Sequence, residues 1–383
     1  MKVPYFRLKF SSSERKEVLD ALKTGWVTTG PKTARFEKEI IRLTGARYAA
    51  AVSSATAGLH LVMESLRPKA GEQVITTPFT MAATIEAILY SGANPILVDI
   101  DPVTLNIDPA AVEKKINKKT RAIAAVDIAG YPCRYDFLGS LAKTHKLFLL
   151  DDAAHALWAE FHGRPIGSLA DATVFSFYST KNITTGEGGM VVSNSNRLIE
   201  KVRHLSLHGM TSSGYKRYRG GSWKYDIITL GYKYNLPDLA AALGLGQLVN
   251  FEKNQARRTR LAERYRANLK NSAEFIELPP EGHNIRQAWH LFIIKLNLKR
   301  WKINRDKLIM ELEKRGVGCG VHFIPVYRFS YFKKALPFRA KDFPECDKVF
   351  KRVISLPLYP DLSLKEVDYV CEVLTDLAAK FAR

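Results

Sequence analysis

Through the first two thirds of the chain, short apolar runs alternate with stretches in which apolar positions return every three or four residues. "ARYAAAVSS", "EQVITTP", "NPILVDID", "TRAIAAVDIAG" and "LFLLDDAAHA" read as strands; "TAGLHLVMESL", "MAATIEAILYSG" and "DFLGSLAKTHK" read as the helices between them. The strands are nearly continuous in apolar character rather than alternating, as expected of strands covered on both faces. Strand and helix in turn predict crossover units on a mostly parallel sheet, the α/β class.

After "GGMVVSNSN" (188–196) the pattern gives way to the Gly, Ser, Tyr and Arg-rich stretch "HGMTSSGYKRYRGGSWKYD". A long helical run follows, "LPDLAAALGLGQLVNFEKNQARRTRLAERYRANL", read as leading out of the main domain. Beyond it the pattern predicts a strand "HLFIIKLNL", a helix "NRDKLIMELEKRG", a strand-like "VGCGVHFI" and a final amphipathic helix "SLKEVDYVCEVLTDLAAKF". These elements predict a large domain over residues 1–250 and a smaller α+β domain over 251–383, without internal repeats.

No apolar run is long enough to cross a bilayer, and the first residues lack the hydrophobic core of a signal peptide, so a soluble cytoplasmic protein is expected. Cys133, Cys319, Cys346 and Cys371 stand far apart and suggest neither a disulfide framework nor a zinc site. His145, His155 and His162 lie close in sequence but lack the spacing of a metal motif, so no metal is expected. Lys and Arg number 58 against 38 acids, a formal charge of +20. The charge is dispersed through mixed runs such as "EKKINKKTR", with no recognition motif for nucleic acid, so an anionic small substrate is the expected user of the positive field.

In open α/β sheets, ligands gather at the carboxyl ends of the strands. Four segments at such places carry candidate chemistry. In "VSSATAGLH" small residues join a strand to a helix, where backbone N–H groups can approach a phosphate and Thr56 can add a hydroxyl; an ordinary N-cap has the same look. In "FLLDDAAHA" a carboxylate at the end of an apolar strand, Asp152, calls for a cation nearby or caps a helix. In "SFYSTKN" Lys181 follows a buried strand, where desolvation lowers an amine pKa and prepares it to attack a carbonyl; a surface lysine is the plainer alternative. In "LGYKYNLPD" Lys233 and Asn235 alternate with aromatics before a helix, as a cap or as further phosphate contacts. A phosphate cradle, a carboxylate and a lysine after successive strands together match the needs of pyridoxal 5'-phosphate.

These residues resemble the DegT/DnrJ/EryC1/StrS sugar aminotransferases, pyridoxal-phosphate enzymes of the aspartate-aminotransferase fold (fold type I). The likeness runs from "TGWVTTGP" through "SSATAGLHL", "TTPFTMAAT", "LLDDAAHALWAEFHGRPIGSLADATVFSFYSTKNITTGEGGMVV" and "GYKYNLPDLAAALGLGQL" to "VHFIPVY" and "ISLPLYPDLS". It implies that Lys181 is the Schiff-base lysine and later the proton shuttle, that Asp152 pairs with the pyridinium nitrogen, and that His155 lies against the ring. It further implies that Ala55, Thr56 and Ser176 hold the phosphate. Met81 stands where the family commonly stacks an aromatic ring on the cofactor, with Phe79 close by in sequence. Thr29 and His322 are implied for the sugar pocket. The resemblance also implies a homodimer with shared active sites, the "GYKYN" segment with Lys233 and Asn235 reaching the partner's phosphate. Its Lys-Tyr-Asn, where the family often has Asn-Tyr-Arg, is similar to enzymes that aminate a UDP-4-keto-pentose. The expected substrates are a nucleotide-linked ketosugar and an amino-acid donor, glutamate, with the basic "YKRYRGGSWKY" segment and Trp223 as candidates for the nucleotide. Family dehydratases carry histidine in place of the lysine; with Lys181 present, transamination is favoured over dehydration or a silent binding protein.

Overall fold

In this computed structural model the described residues are 1–211, 215, 218 and 223–383. The strands are β1 (Tyr48–Val52), β2 (Gln73–Thr76), β3 (Asn94–Leu97), β4 (Thr120–Val126), β5 (Phe148–Asp152), β6 (Glu160–Phe161), β7 (Arg164–Pro165), β8 (Ala172–Ser176), β9 (Gly189–Ser193), β10 (Ile276–Glu277), β11 (Ile285–Arg286), β12 (Phe292–Leu296) and β13 (Val353–Leu356). Seven of them form the main sheet, in the order β1-β9-β8-β5-β4-β2-β3. From β3 to β8 neighbours run parallel, while β9 runs antiparallel to both β8 and β1. The α/β expectation holds, and the near-continuous apolar strands are buried on both faces as their composition requires: β4 places Ala122, Ile123, Ala124 and Ala125 in the core without exposure.

The first four helices are α1 (Ser12–Lys23), α2 (Pro31–Thr44), α3 (Ala55–Leu66) and α4 (Ala82–Tyr90). α2 begins with proline and ends at Gly45 in the left-handed conformation, φ 67°, a start and stop legible in the sequence. α3 is the crossover from β1; Ser54 caps it by accepting from the Ala57 N–H.

A smaller sheet, β10-β12-β13, carries a second core of Phe292, Ile294, Leu296, Leu308, Ile354 and the buried face of the helix Leu364–Phe381. Val3 joins this core, so the first residues of the chain pack on the C-terminal elements. The single long helix expected over 236–269 is two helices, Asp238–Leu248 and Phe251–Leu269. Asn250 sits at the break with its side-chain amide within reach of Ser11 and Ser13 hydroxyls, an example of the local bonding by which asparagine competes with helix. "VGCGVHFI" is not a strand: Val317 and Gly320 make only isolated bridges, to Val3 and Ser355. Its glycines serve close packing instead, since a Cβ on Gly318 would stand 2.6 Å from the Tyr5 nitrogen. Among the described residues no helix is long and apolar enough to cross a membrane, and no cluster of His, Cys, Asp or Glu could hold a metal ion.

Candidate active site

The carboxyl ends of β5 and β8 and the start of α3 open onto one cavity of about 430 Å³. Ala55, Thr56, Met81, Asp152, His155, Ser176, Lys181 and His322 all line it, so eight of the residues singled out in the sequence meet there. Thr29, Lys233 and Asn235 do not line it; Asn235 Nδ2 instead donates to Thr29 Oγ1 at 2.7 Å. Phe79 is fully buried and also absent from the lining; from that segment Thr80, Met81 and Ala83 line the cavity, Met81 being 60% exposed. Most of the "YKRYRGGSWKY" segment lies outside the described residues, and Trp223 does not reach the cavity.

The floor is electrostatic. Asp152, the last residue of β5, is 4% exposed. Thr84 Oγ1 donates to its Oδ2 at 2.7 Å and the Ala154 N–H to its Oδ1 at 3.3 Å. Burial raises this carboxyl above the usual range, while the Thr84 bond, the Ala154 N–H and the Lys181 charge work against that rise. Two donors leave part of the carboxylate's accepting capacity open, and its buried setting favours a further cation. Burial lowers the Lys181 amine to about 8, against the opposing pull of Asp152. About a tenth of Lys181 is therefore neutral and nucleophilic at pH 7, far more than for an ordinary lysine.

His155 is held by its Nδ1, which accepts the Ala129 N–H at 3.3 Å. Burial, with the charges of Lys181 and His322, keeps its imidazolium form well below the usual range, so the ring is neutral with its proton on Nε2. Phe323 stacks on it at 5.7 Å between centroids and 17° between planes. His322 also stays neutral, lowered to about 4 by burial and then by Lys181, and its Nδ1 lies 2.9 Å from Ser355 Oγ.

A cradle of small residues also lines the cavity. Ser176 pairs with Gly189 where β8 meets β9. A Cβ on Gly189 would stand 2.5 Å from the Ser54 carbonyl carbon and 2.6 Å from the Ala55 nitrogen, so only glycine lets β9 come this close to the helix start. The first-turn N–H groups of Ala55 and Thr56 lie at the positive end of α3, beside the Ser176 and Thr56 hydroxyls: donors suited to a phosphate.

Sequence reasoning missed several lining residues, among them Tyr5, Phe6, His290, Leu291 and Phe323. Thr84, in the first turn of α4, was also missed although it lies within the quoted "TTPFTMAAT". Only the three-dimensional neighbour reveals its role, because a buried threonine on a helix has no signature of its own.

Comparison with known proteins agrees with this geometry. The chain belongs to the DegT/DnrJ/EryC1/StrS aminotransferase family, whose model matches residues 9–375. It is 41% identical over 377 residues to the spore coat polysaccharide biosynthesis protein SpsC of Bacillus subtilis, covering 98% of this chain and 97% of that one. Among solved structures, the putative sugar aminotransferase Spr1654 of Streptococcus pneumoniae in its PMP-form superposes with a TM-score of 0.92 at 32% identity, covering 99% and 100% of the two chains. The same protein is known in a PLP-form. DesI, solved in the presence of its TDP-sugar product, gives a TM-score of 0.88 at 30% identity over 99% of this chain and 93% of that one. The enzyme class and the aspartate-aminotransferase fold expected from the sequence are thus those found. Pyridoxal 5'-phosphate, the cofactor on which this family depends, fits the residues present: a buried carboxyl with open accepting capacity, an amine of lowered pKa and a glycine-lined cradle at a helix N-terminus.

Proposed function

We propose that the protein transfers an amino group from glutamate to the keto carbon of a nucleotide-linked sugar, serving the synthesis of a polysaccharide or glycan precursor. The observation that carries this reading is the convergence of Lys181, Asp152 and the open start of α3 on one cavity. SpsC by its name, and DesI by its TDP-sugar product, support the sugar and the nucleotide.

When bound, the cofactor supplies an aldehyde carbon that takes up the amino group and a protonated pyridine that withdraws electrons from the reacting carbon. Asp152 holds the proton on the pyridine nitrogen; its burial makes that charge pairing strong. Lys181 Nζ anchors the cofactor at rest and, once displaced, moves the proton at the donor's α-carbon and later at the sugar carbon. Ala55 and Thr56 N–H groups with the Ser176 hydroxyl bind the phosphate. His155 would lie against the ring, Met81 would cover it and His322 would serve the sugar side, whereas Thr29, which does not line this cavity, would not meet the sugar there.

The same reading includes a homodimer in which Lys233 and Asn235 reach the partner's phosphate. Ile227, Ile228 and Leu230, just before them, are 59%, 55% and 88% exposed, an apolar run suited to burial against a second copy. It also includes a division into a large domain, 1–250, and a small one, 251–383, supported by the second sheet with its own core, while a further apolar cluster joining Leu97 and Ile100 to Ile293 and Val353 ties the two together. The free cysteines suit a reducing cytoplasm.

The test is spectroscopic and chemical. Purified protein loaded with pyridoxal 5'-phosphate is expected to be yellow, with borohydride fixing the label to Lys181, and to release 2-oxoglutarate from glutamate with one of a panel of nucleotide ketosugars. Protein that takes up no cofactor, or a Lys181→Ala variant with full turnover, would sink the reading.

A further inference from the structure

His290 stands in the wall of the Lys181 cavity and is 5% exposed. Its backbone is fixed from several sides. Trp289 before it has φ 47°, a left-handed conformation that a bulky residue keeps only under constraint from its surroundings. The His290 N–H donates to the Ala129 carbonyl at 3.1 Å, and buried Arg258 donates through Nη1 to the carbonyls of Trp289 and His290 at 3.2 and 3.4 Å.

The ring is fixed too, and its tautomer follows from its neighbours. His290 Nδ1 lies 3.2 Å from Asn182 Oδ1. The Ala288 carbonyl, which can only accept, takes Asn182 Nδ2 at 2.7 Å and Gln255 Nε2 at 3.1 Å. Asn182 Nδ2 also donates to Gln255 Oε1 at 3.0 Å. Both amides are oriented by that one carbonyl, so it is the Asn182 oxygen that faces the imidazole. An amide oxygen accepts; His290 therefore carries its proton on Nδ1 and has a lone pair on Nε2.

His155, with its ring centroid 4.3 Å away, is the opposite tautomer, because Ala129 N–H occupies its Nδ1. Two imidazoles in contact thus carry complementary groups, His155 a proton on Nε2 and His290 a lone pair there. The groups around His290 are His155, Lys181, Arg258 and His322, and burial together with their charges keeps its imidazolium form well below the usual range.

We propose that His290 is a further residue of the active site, locked by Asn182 as an acceptor, and that its Nε2 receives an N–H of the glutamate amino group entering the Lys181 cavity. The inference rests on the aminotransferase reading above. An amine or ammonium brings N–H donors, and beside it the His155 Nε2–H can only repel or compete; an unprotonated Nε2 matches it.

The experiment follows the two half-reactions separately in the loaded holoenzyme, one with glutamate and one with the ketosugar. His290→Phe keeps a ring but no lone pair. Asn182→Asp keeps the shape, and its carboxylate draws a second proton onto His290, turning Nε2 into a donor. Both variants are expected to weaken glutamate binding by about tenfold, the size of one lost bond to a charged group, and to weaken ketosugar binding much less. The Asn182→Asp loss is expected to reverse as pH rises and the imidazolium deprotonates, whereas that of His290→Phe is the same at every pH. Independently of any variant, 15N shifts of the imidazole in the wild-type protein are expected to show a protonated Nδ1 and a bare Nε2. A bare Nδ1, equal losses in both half-reactions, or an Asn182→Asp pH profile identical to that of the wild type overturns the proposal. Wild-type holoenzyme that makes no 2-oxoglutarate overturns instead the function on which it rests, while the tautomer remains measurable.

Discussion

Thr84 donates to Asp152 across 68 residues of sequence, Oγ1 to Oδ2 at 2.7 Å, with both side chains buried. Because the Thr84 proton goes to the carboxylate, the neighbouring Thr80 hydroxyl, 2.9 Å from Thr84 Oγ1, must donate in turn. The first turn of α4 is thereby a proton-ordered support for the carboxylate. Thr84→Val preserves the shape and removes the bond, letting burial raise the Asp152 carboxyl further. Cofactor affinity is expected to fall by about tenfold and folding stability by about 1–2 kcal/mol, read by visible titration and urea unfolding. Unchanged affinity would detach Thr84 from the site.

Gly189→Ala tests the cradle. The new methyl collides with backbone atoms of Ser54 and Ala55 rather than with a side chain that can swing away. α3 or β9 must shift, and the expected result is a loss of pyridoxal 5'-phosphate affinity of about tenfold or more, with the secondary structure intact by circular dichroism.

Lys181 makes the stability of the cofactor-free protein depend on pH. Its folded pKa is lowered from the ordinary 10.5 to about 8, so between those values the unfolded chain binds the extra proton. Stability from this group therefore rises with pH across the window from about 8 to 10.5 and is flat below it. Lys181→Met is expected to abolish that rise and to be more stable than wild type at pH 7, where the folded protein bears the cost of a buried ammonium. Parallel curves for the two proteins would contradict the lowered pKa.

Asp238 accepts from the N–H groups of Gly30, Lys32 and Thr33 at 2.7, 3.0 and 2.9 Å and from Thr33 Oγ1 at 2.7 Å. This carboxylate ties the start of α2 to the helix Asp238–Leu248. Replacing it with alanine strands several donors, and a loss of about 2–3 kcal/mol in unfolding free energy is expected. A loss below about 0.5 kcal/mol would mean that water replaces it freely.

Leu230→Asp addresses the assembly. A charge on the most exposed of the apolar residues at 227–230 is expected to leave a folded monomer in sedimentation, with low turnover if Lys233 and Asn235 act on the partner. A variant that stays dimeric and fully active would place the interface elsewhere.

Much of this architecture was readable in advance because its causes are local. Apolar strands ending in "DD" and "FS" announce the sheet and the place where its chemistry stands, so Asp152 and Lys181 could be named from their neighbours in the chain, and Ser176 from the family resemblance. Thr84 and His290 could not, since each acquires its meaning from a partner far away in sequence. The same reason hid the break at Asn250, where the side chain meets Ser11 and Ser13 at the start of α1, and the loss of strand character around Gly318, which packs on Tyr5. Periodicity reports which face is covered; it does not report what covers it.

β1 touches the main sheet through β9 alone. During synthesis, α3 and its first-turn donors are made early, but the strand that seats them is completed only when residues 189–193 emerge. Until then the edge strand has no ladder and the cradle has no second wall. Cofactor capture is therefore expected late in folding, after β9 pairs with β1, and pyridoxal phosphate added to refolding protein should leave the early phases untouched while pulling the final one forward.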